Sequence, residues 1–475
     1  MSSTRAAETP AGERTPTPRA SATVLRRTLA VTVIGSVTAV LDMTIVNVAM
    51  RALSTSFGAP LATIQWTATA YTLALAAVIP VAAWAMARIG AKRTYATALV
   101  LFTLGSLLAA CAWDVTSLIA FRAVQGLGGG LLQPVGMTMV MRAADRRRLG
   151  RVMAVGGLPV LVGPVVGPVL GGWLVDAASW HWIFLVNLPV GLLALALTAR
   201  LLPYDAPDPQ TRRTARLDVP GLLMLSPGLA LLLYGLARGG ERGDFTAPGA
   251  LLPTLAGAAL TAAFVRRALT VRDPLLDLRL LRDRTFAAGV TTLALFTCGY
   301  FGSMLLGPLY WQQERGLSAT AAGLLGAPTG LVVGTAMQFA ARWVDRVSPR
   351  RLIPAGIALA ALGMALLAWQ TGVPGVAPWR VVSSAMVMGA GIGVVLMPTM
   401  TTATRDLPAD RLPGASTALS INSQLAASVG TAALSVLLAA VGQHPPGFRL
   451  TYAVAATFLT LSTLPSLRLP DRRTP

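Results

Sequence analysis

The sequence predicts an all-α integral membrane protein with fourteen transmembrane helices. Of its 475 residues, 54% are hydrophobic and 12% are charged, whereas a soluble domain carries about 25% charged residues. The apolar residues fall in runs of about 20, the length that crosses about 30 Å of hydrocarbon as a helix. Basic residues collect in every second connection between these runs. These three observations exclude a soluble protein and set the topology developed below.

The predicted spans divide into blocks of six, two and six. They lie at 28–50, 64–86, 94–112, 117–141, 152–175, 182–202, 219–237, 248–265, 286–311, 319–341, 352–370, 381–401, 415–441 and 450–467. We interpret them as an N-terminal six-helix bundle (28–202), a linker with two extra spans (203–285) and a C-terminal six-helix bundle (286–468). Residues 1–27 are expected to form a disordered cytoplasmic tail, and 469–475 a short cytoplasmic tail.

The net charge of +20 follows from where the basic residues stand. Thirty-two of the 39 basic residues fall in the tails and in every second connection, the excess that marks the cytoplasmic side of a membrane protein. This pattern predicts that both termini lie in the cytoplasm. It also predicts a multi-pass protein of the cell membrane, in contact with the lipid bilayer. Since the topology accounts for the charge, we expect no nucleic-acid partner.

Several chemistries lack the residues they need. The one lysine, Lys92, stands outside any GxxxxGK[ST] phosphate-binding loop, so the chain holds no ATP motor. The two histidines, His181 and His444, fit neither a metal-ligand spacing nor a catalytic triad. No connection is long enough for a catalytic domain. We therefore predict no enzyme activity, no catalytic residue, no metal and no cofactor.

Two ionisable residues stand deep inside apolar runs. Asp42 lies in the first run, where a carboxylate costs about 2.5–3.5 kcal/mol on insertion scales and is seldom without a role. Arg122 lies in the fourth and shares a helical stripe with Gln125, Gly126 and Gly129. A guanidinium keeps its proton and can pair with a carboxylate, although a side chain of this length can also extend toward an interface. One buried acid and one buried base indicate a proton-coupled carrier.

The fifth run carries glycines at every fourth position. Gly163, Gly167 and Gly171 form a smooth stripe along which a neighbouring helix can approach closely. Pro164 and Pro168 interleave with them and weaken the helical hydrogen-bond ladder, which permits a bend. Two glycine repeats in series with interleaved prolines are much stronger evidence for such a helix contact than a single repeat.

These motifs together resemble the major facilitator superfamily, and within it the fourteen-span drug:proton antiporters of the EmrB/QacA type. The resemblance rests on the run around Asp42, the Arg-x-x-Gln-Gly of the fourth run, the glycine–proline run of the fifth and the segment 180–191, and it extends over 28–468. It implies the major facilitator fold, with two extra spans between the six-helix halves. It further implies that Asp42 carries the proton and that Arg122 couples to it. Gly163, Pro164, Gly167 and Gly171 would form the helix interface that rocks.

The resemblance also implies a latch in the loop after the second span of each half. In the second half Asp345 and Arg346 match that motif. In the first half Ala87 stands where an acid is usual, so we expect a weaker latch there.

Polar and aromatic residues of the spans are candidates for contact with substrate. A stripe of Ser416, Ser420, Gln424 and Ser428 on the thirteenth run lines a cavity or bonds to a neighbouring helix, and the sequence leaves both open. The candidates for the cavity are Asn47, Trp66, Tyr71, Gln125, Tyr300 and Gln424.

We therefore expect a proton-coupled exporter of a hydrophobic, drug-like or antibiotic small molecule that works by alternating-access antiport, with the proton gradient as its energy source. Two alternatives stay open. A proton symporter for uptake of a small organic solute would use the same buried pair in the opposite sense. A non-transporting membrane sensor or scaffold would need no buried carboxylate, and no partner module is recognisable in the connecting segments.

Overall fold

The described part of the chain folds into helices. The computed structural model describes residues 22–59, 61–64, 66–144, 166–167, 170–175, 177–203, 217–242, 244–271, 274–317, 319–343, 347–442 and 444–471. The longer helices are α1 (Ala22–Phe57), α2 (Trp66–Val78), α3 (Val81–Ile89), α4 (Ala91–Ala110), α5 (Val115–Ala143), α6 (Asn187–Leu201), α7 (Val219–Arg242), α8 (Pro248–Thr270), α9 (Arg284–Ser303), α10 (Ala319–Trp343), α11 (Pro349–Thr371), α12 (Pro378–Thr404), α13 (Leu412–Val441) and α14 (Pro445–Leu461). Short helical turns occupy Leu61–Ile64, Trp182–Leu185, Leu278–Arg282, Leu306–Leu309, Tyr310–Glu314 and Thr463–Ser466.

Most of the predicted spans are present as membrane-length helices. The described residues contain eleven helices long and apolar enough to cross a membrane, or twelve if α2 and α3, bent by 56° at Pro80, form one span. The predicted span at 152–175 falls largely outside the described residues. The last predicted span is the 17-residue helix α14. The count of fourteen therefore stays a prediction, as do the domain boundaries.

Two buried apolar cores define two bundles. In the first, Tyr95 and Phe102 of α4 pack with Val31 of α1 and Val135 of α5. In the second, helices α9 to α14 and the segments next to them form a separate core that includes Phe296. Each bundle thus buries its own apolar face, which is the condition for two bodies that can move relative to each other.

The two bundles meet at one end of the molecule. Arg26, Lys92 and Arg142 lie at this end, near the ends of their helices, and we call it the basic end. Here Val140 of α5 packs with Met400 of α12, and α9 and the start of α13 join the same buried cluster. Among the described residues, the buried cluster at the opposite end of the first bundle draws on that bundle alone.

Helix α7 packs between the two bundles at their side. Its residues Leu225 and Leu229 share a buried cluster with Ile79, beside the end of α2, and Ile421 of α13. Near the other end of α7, Tyr234 packs on Trp66 with ring centroids 5.4 Å apart. Helix α7 therefore contacts both bundles along the seam between α2 and α13.

A buried carboxylate fixes the start of α7. Asp218 accepts hydrogen bonds from Arg267 Nη2 of α8 at 2.8 Å, from the Gly221 amide at 3.0 Å and from the Leu275 amide at 3.3 Å. Burial opposes ionisation of this group, but the hydrogen bonds from Arg267, Gly221 and Leu275, together with the charge of Arg267, outweigh it and lower the pKa of the Asp218 carboxyl. The contact joins both extra helices to the connection that leads into the second bundle.

We expect Asp218→Ala to lower the melting temperature of the purified protein. It leaves two buried amides without an acceptor, at about 1–3 kcal/mol for each unsatisfied group. Because the folded-state pKa is depressed, the carboxylate stabilises the fold above its ordinary pKa of about 3.9, and this stabilisation is lost as the pH falls through the folded-state value. The difference in melting temperature should therefore be large at neutral pH and shrink below about pH 4. Asp410→Ala, in the exposed connection between α12 and α13, is the control; a difference independent of pH would contradict the assignment.

A buried Asp–Arg pair as the candidate functional site

Asp42 and Arg122 form an ion pair inside the first bundle. Asp42 lies on α1 and Arg122 on α5, and Arg122 Nη1 donates to Asp42 Oδ2 at 2.5 Å. The two residues are 0% and 1% exposed, so neither charge is hydrated by bulk water. A charge in such a place is stable only with a partner and further hydrogen bonds. The structure thus places together the two ionisable residues that the sequence singled out.

Amide groups complete the surroundings of the carboxylate. Gln125 Nε2 and Asn187 Nδ2 each donate to Asp42 Oδ1 at 2.8 Å. The same two amides also reach Ser106 Oγ, at 3.1 and 2.9 Å. Ser106 in turn donates to the Phe184 carbonyl at 3.1 Å. Asp42 therefore accepts three hydrogen bonds as a carboxylate, and every side chain of this network is buried.

Arg122 has partners besides the carboxylate. Its Nη1 donates to Gln125 Oε1 at 2.7 Å, and its Nε donates to the Thr67 carbonyl at 3.3 Å. The ring of Tyr71 faces the guanidinium, with 4.3 Å between Arg122 Cζ and the ring centroid. If Asp42 took up a proton, Arg122 would lose its counter-charge but keep these three contacts. The site can therefore change its charge by one unit without losing all of its structure.

A cavity of about 140 Å³ lies beside this network, between the two bundles. Its described lining combines apolar side chains with hydroxyl and amide groups and holds no charged residue. Four of its side chains are methionines, which adapt to ligands of irregular shape. The lining residues are Thr32, Ser36, Ala39, Val40, Met43, Tyr71, Leu75, Gly129, Leu132, Gln133, Gly136, Met137, Val140, Met397 and Met400.

The structure brings some predicted cavity residues to this place and not others. Tyr71 lines the cavity, and Gln125 belongs to the Asp42 network. Trp66 instead packs against Tyr234 of α7, and Gln424 lies where α2, α7 and α13 meet. Tyr300 packs edge-on to its neighbour Phe301 beside the core of the second bundle. Trp66, Gln424 and Tyr300 are thus outside the lining of the central cavity as the described residues form it.

Part of the predicted site lies outside the described residues. This holds for Gly163, Pro164 and the latch pair Asp345 and Arg346, and the side chain of Asn47 is likewise not described. Two members of the glycine stripe are described, and both pack on α1 one turn from Asp42. A Cβ on Gly167 would collide with Thr44, and one on Gly171 would lie 3.1 Å from Ile45 Cγ2. At these two positions, close helix approach requires glycine.

The network contains two residues that the sequence analysis did not select. Asn187 lies in segment 180–191, where it contributed to the resemblance, and a lone amide within an apolar run could have marked it as a partner for Asp42. Ser106 follows Gly105 in an otherwise apolar run and carries no signal that separates it from the other hydroxyl residues of the spans. Its role is visible only in three dimensions.

The serine stripe of α13 bonds to a neighbouring helix at its start. Ser416 Oγ lies 2.6 Å from Thr138 Oγ1 of α5, and both hydroxyls are buried. This hydrogen bond joins the two bundles at the basic end, next to the apolar cluster around Val140 and Met400. For Ser416, the structure therefore supports the second of the two alternatives that the sequence left open.

A buried ion pair and a cavity between two bundles of membrane-length helices define the class as an integral membrane transporter. The profile described as Major Facilitator Superfamily matches residues 32–431 and 335–475, and the chain belongs to this family. It is 43% identical over 417 residues to the Multidrug resistance protein B homolog of Mycobacterium tuberculosis (strain ATCC 25618 / H37Rv), covering 87% of this chain and 76% of that protein. It is 34% identical over 451 residues to the Putative multidrug resistance protein MdtD of Cronobacter sakazakii, covering 91% and 92%.

Solved structures show the same fold at low sequence identity. The proton:xylose symporter XylE, bound to 6-bromo-6-deoxy-D-glucose, has a TM-score of 0.64 at 16% identity and covers 94% of this chain and 96% of that one. The human organic anion transporter MFSD10 has a TM-score of 0.64 at 15% identity, with 93% and 99% covered. The all-helical major facilitator fold predicted from the sequence is thereby confirmed.

Proposed function

We propose that this protein exports hydrophobic, drug-like small molecules from the cell in exchange for protons. The observation that carries the proposal is the buried Asp42–Arg122 pair beside the central cavity, with Tyr71 both facing Arg122 and lining the cavity. The relatives named as multidrug resistance proteins support drugs as the substrate class. The apolar, methionine-rich lining of the cavity supports a substrate with little polar surface.

The orientation follows from the basic residues. With the basic end in the cytoplasm, both termini are cytoplasmic and the protein obeys the positive-inside rule. The bundles are then in contact on the cytoplasmic side, through the cluster around Val140 and the Thr138–Ser416 hydrogen bond. We infer that the structure represents a state closed to the cytoplasm, from which a substrate would be released outside.

In the cycle we propose, Asp42 exchanges its proton once per turn. Protonation removes the charge that pairs with Arg122 and so favours the other orientation of the bundles. Substrate entering from the cytoplasm stabilises the deprotonated pair and expels the proton, because binding at two coupled sites is reciprocal. No ATP enters this cycle; the proton gradient supplies the energy.

One proton per cycle is sufficient for export. Moving a proton down about 100 mV and one pH unit supplies about 2.3 and 1.4 kcal/mol, respectively. Together these amounts support roughly 500-fold accumulation of an uncharged solute at one-to-one exchange, because each 1.36 kcal/mol is a factor of ten.

The proposal is tested by substrate-induced proton flux in proteoliposomes. The purified protein is reconstituted with an imposed pH gradient, and a pH-sensitive dye reports its collapse on addition of cationic, neutral or anionic aromatic compounds. We expect at least one compound to collapse the gradient, and to be driven against its own concentration gradient until a protonophore is added. Movement of the compound in the same direction as the proton would establish uptake instead. A compound transported at the same rate without a gradient would exclude proton coupling.

A further inference from the structure

Tyr71 is the described side chain that contacts both the ion pair and the cavity. Its ring lies over the Arg122 guanidinium at 4.3 Å, and the residue also lines the central cavity. Helix α2 holds it there through close contact with α5, since a Cβ on Gly126 would collide with the Tyr71 carbonyl. Anything that presses on this wall of the cavity therefore acts on a ring that touches the charged site.

The hydroxyl of Tyr71 is buried and has no hydrogen-bond partner. The residue is 1% exposed, so bulk water does not reach the group. A buried hydroxyl without a partner is unfavourable, and such groups in native structures call for a cause. The neighbouring lining residue is Gly129, where an added Cβ would lie 2.5 Å from the hydroxyl oxygen. The glycine makes room for the hydroxyl against the backbone of α5, and a side chain here would displace it.

Other buried tyrosines of the described chain do not combine these properties. Tyr95, on α4 of the same bundle, is 0% exposed, but its hydroxyl lies 3.4 Å from the Thr32 carbonyl and belongs to the core. In the described residues, the aromatic rings that face Arg122 are those of Tyr71 and Phe184, with centroids 4.3 and 5.8 Å from its Cζ. Tyr71 is thus distinguished by position and by its unsatisfied hydroxyl.

We propose that Tyr71 recognises the substrate and transmits its presence to Arg122. The inference rests on the proposed function and adds a recognition rule to it. The hydroxyl forms a hydrogen bond with an acceptor oxygen on an otherwise apolar, ring-containing substrate. The bound substrate also presses on the ring, and the shift of the ring, with or without the hydrogen bond, changes its contact with the guanidinium and so the strength of the Asp42–Arg122 pair. Tyr71 acts on the proton through Arg122 and is a positioning residue for that step.

Two matched substitutions separate the hydroxyl from the ring. Tyr71→Phe keeps the ring over Arg122 and removes only the hydroxyl, whereas Tyr71→Leu removes both. Tyr95→Phe is the control, because it removes a buried hydroxyl from the same bundle that is not part of the cavity lining. Binding is measured without any pH gradient, with 9-fluorenone and fluorene as the probes; they share one tricyclic skeleton and differ in a carbonyl oxygen.

We expect the wild-type protein to bind fluorenone about tenfold more tightly than fluorene, the discrimination that one hydrogen bond provides. Tyr71→Phe should lose this preference by weakening fluorenone binding alone, and Tyr95→Phe should keep it. In proteoliposomes, Tyr71→Phe should move as many protons per exported molecule as wild type, and Tyr71→Leu fewer. An unchanged preference in Tyr71→Phe, no preference in wild type, or full coupling in Tyr71→Leu overturns the proposal. Since the binding arm needs no gradient, its result is distinct from a failure of antiport.

Discussion

Asp42→Asn is expected to abolish proton-driven export while the protein still folds and inserts. Asparagine has the shape of aspartate and keeps an oxygen that can accept from Arg122 and the neighbouring amides, but it cannot carry a proton at any physiological pH. The variant should no longer collapse a pH gradient when substrate is added. It should still exchange substrate down a concentration gradient, because the cavity is intact.

The substitution also has a stability signature. Arg122 becomes a buried charge without a counter-charge, and breaking a buried pair by removing one partner costs about 3–5 kcal/mol. The hydrogen bonds that asparagine retains will offset part of this. We therefore expect a lower melting temperature in detergent, measured beside Asp244→Asn, which changes an exposed carboxylate outside the site. Gradient-driven export at the wild-type rate by Asp42→Asn would remove Asp42 from the mechanism.

The two buried charges could be predicted from the sequence because the bilayer makes them conspicuous. A carboxylate or a guanidinium alone in hydrocarbon has a high free energy, and a contact between the two lowers it, so the sequence predicts that they pair. The structure places Asp42 Oδ2 and Arg122 Nη1 2.5 Å apart. Helical spacing puts Gln125 one turn from Arg122 on the same stripe; the sequence analysis counted it among the cavity candidates, and the structure places it in the Asp42 network. These inferences needed only local periodicity and the energetics of hydrocarbon.

Contacts between distant segments could not be predicted in the same way. Asn187 joins the network across 145 residues of sequence; a lone amide in an apolar run marks it as a candidate, but nothing local says which distant residue it meets. Trp66 was a reasonable candidate for the cavity as an aromatic residue near a span end, but its partner Tyr234 belongs to an extra helix whose position no periodicity reveals. The side on which a span faces its neighbours is set by bundle packing, so cavity residues were predicted less well than the charged pair.

A disulfide across the contact between the bundles at the basic end is expected to stop transport reversibly. Thr138 and Ser416 belong to different bundles, and their hydroxyl oxygens are 2.6 Å apart. Cysteines at both positions would bring two sulfur atoms close to the 2.05 Å of a disulfide after small side-chain adjustments. The native Cys111 and Cys298 are first replaced by serine and alanine, respectively, so that the introduced pair is the sole source of cross-linking.

We expect oxidised T138C/S416C to lose nearly all transport and to regain it when reduced. Alternating access requires the bundles to separate at this end, and a covalent bond between α5 and α13 prevents it. The matched control is S348C/D471C. Ser348 directly precedes α11 and Asp471 follows α14, so this disulfide lies within the second bundle, and the two side chains already form a hydrogen bond. That cross-link should leave transport intact, as should T138C alone. Full transport by quantitatively oxidised T138C/S416C would mean that this contact persists through the cycle. The opening to the cytoplasm would then have to be sought elsewhere, because a rocking motion cannot keep both ends of the cavity closed and still exchange substrate for a proton.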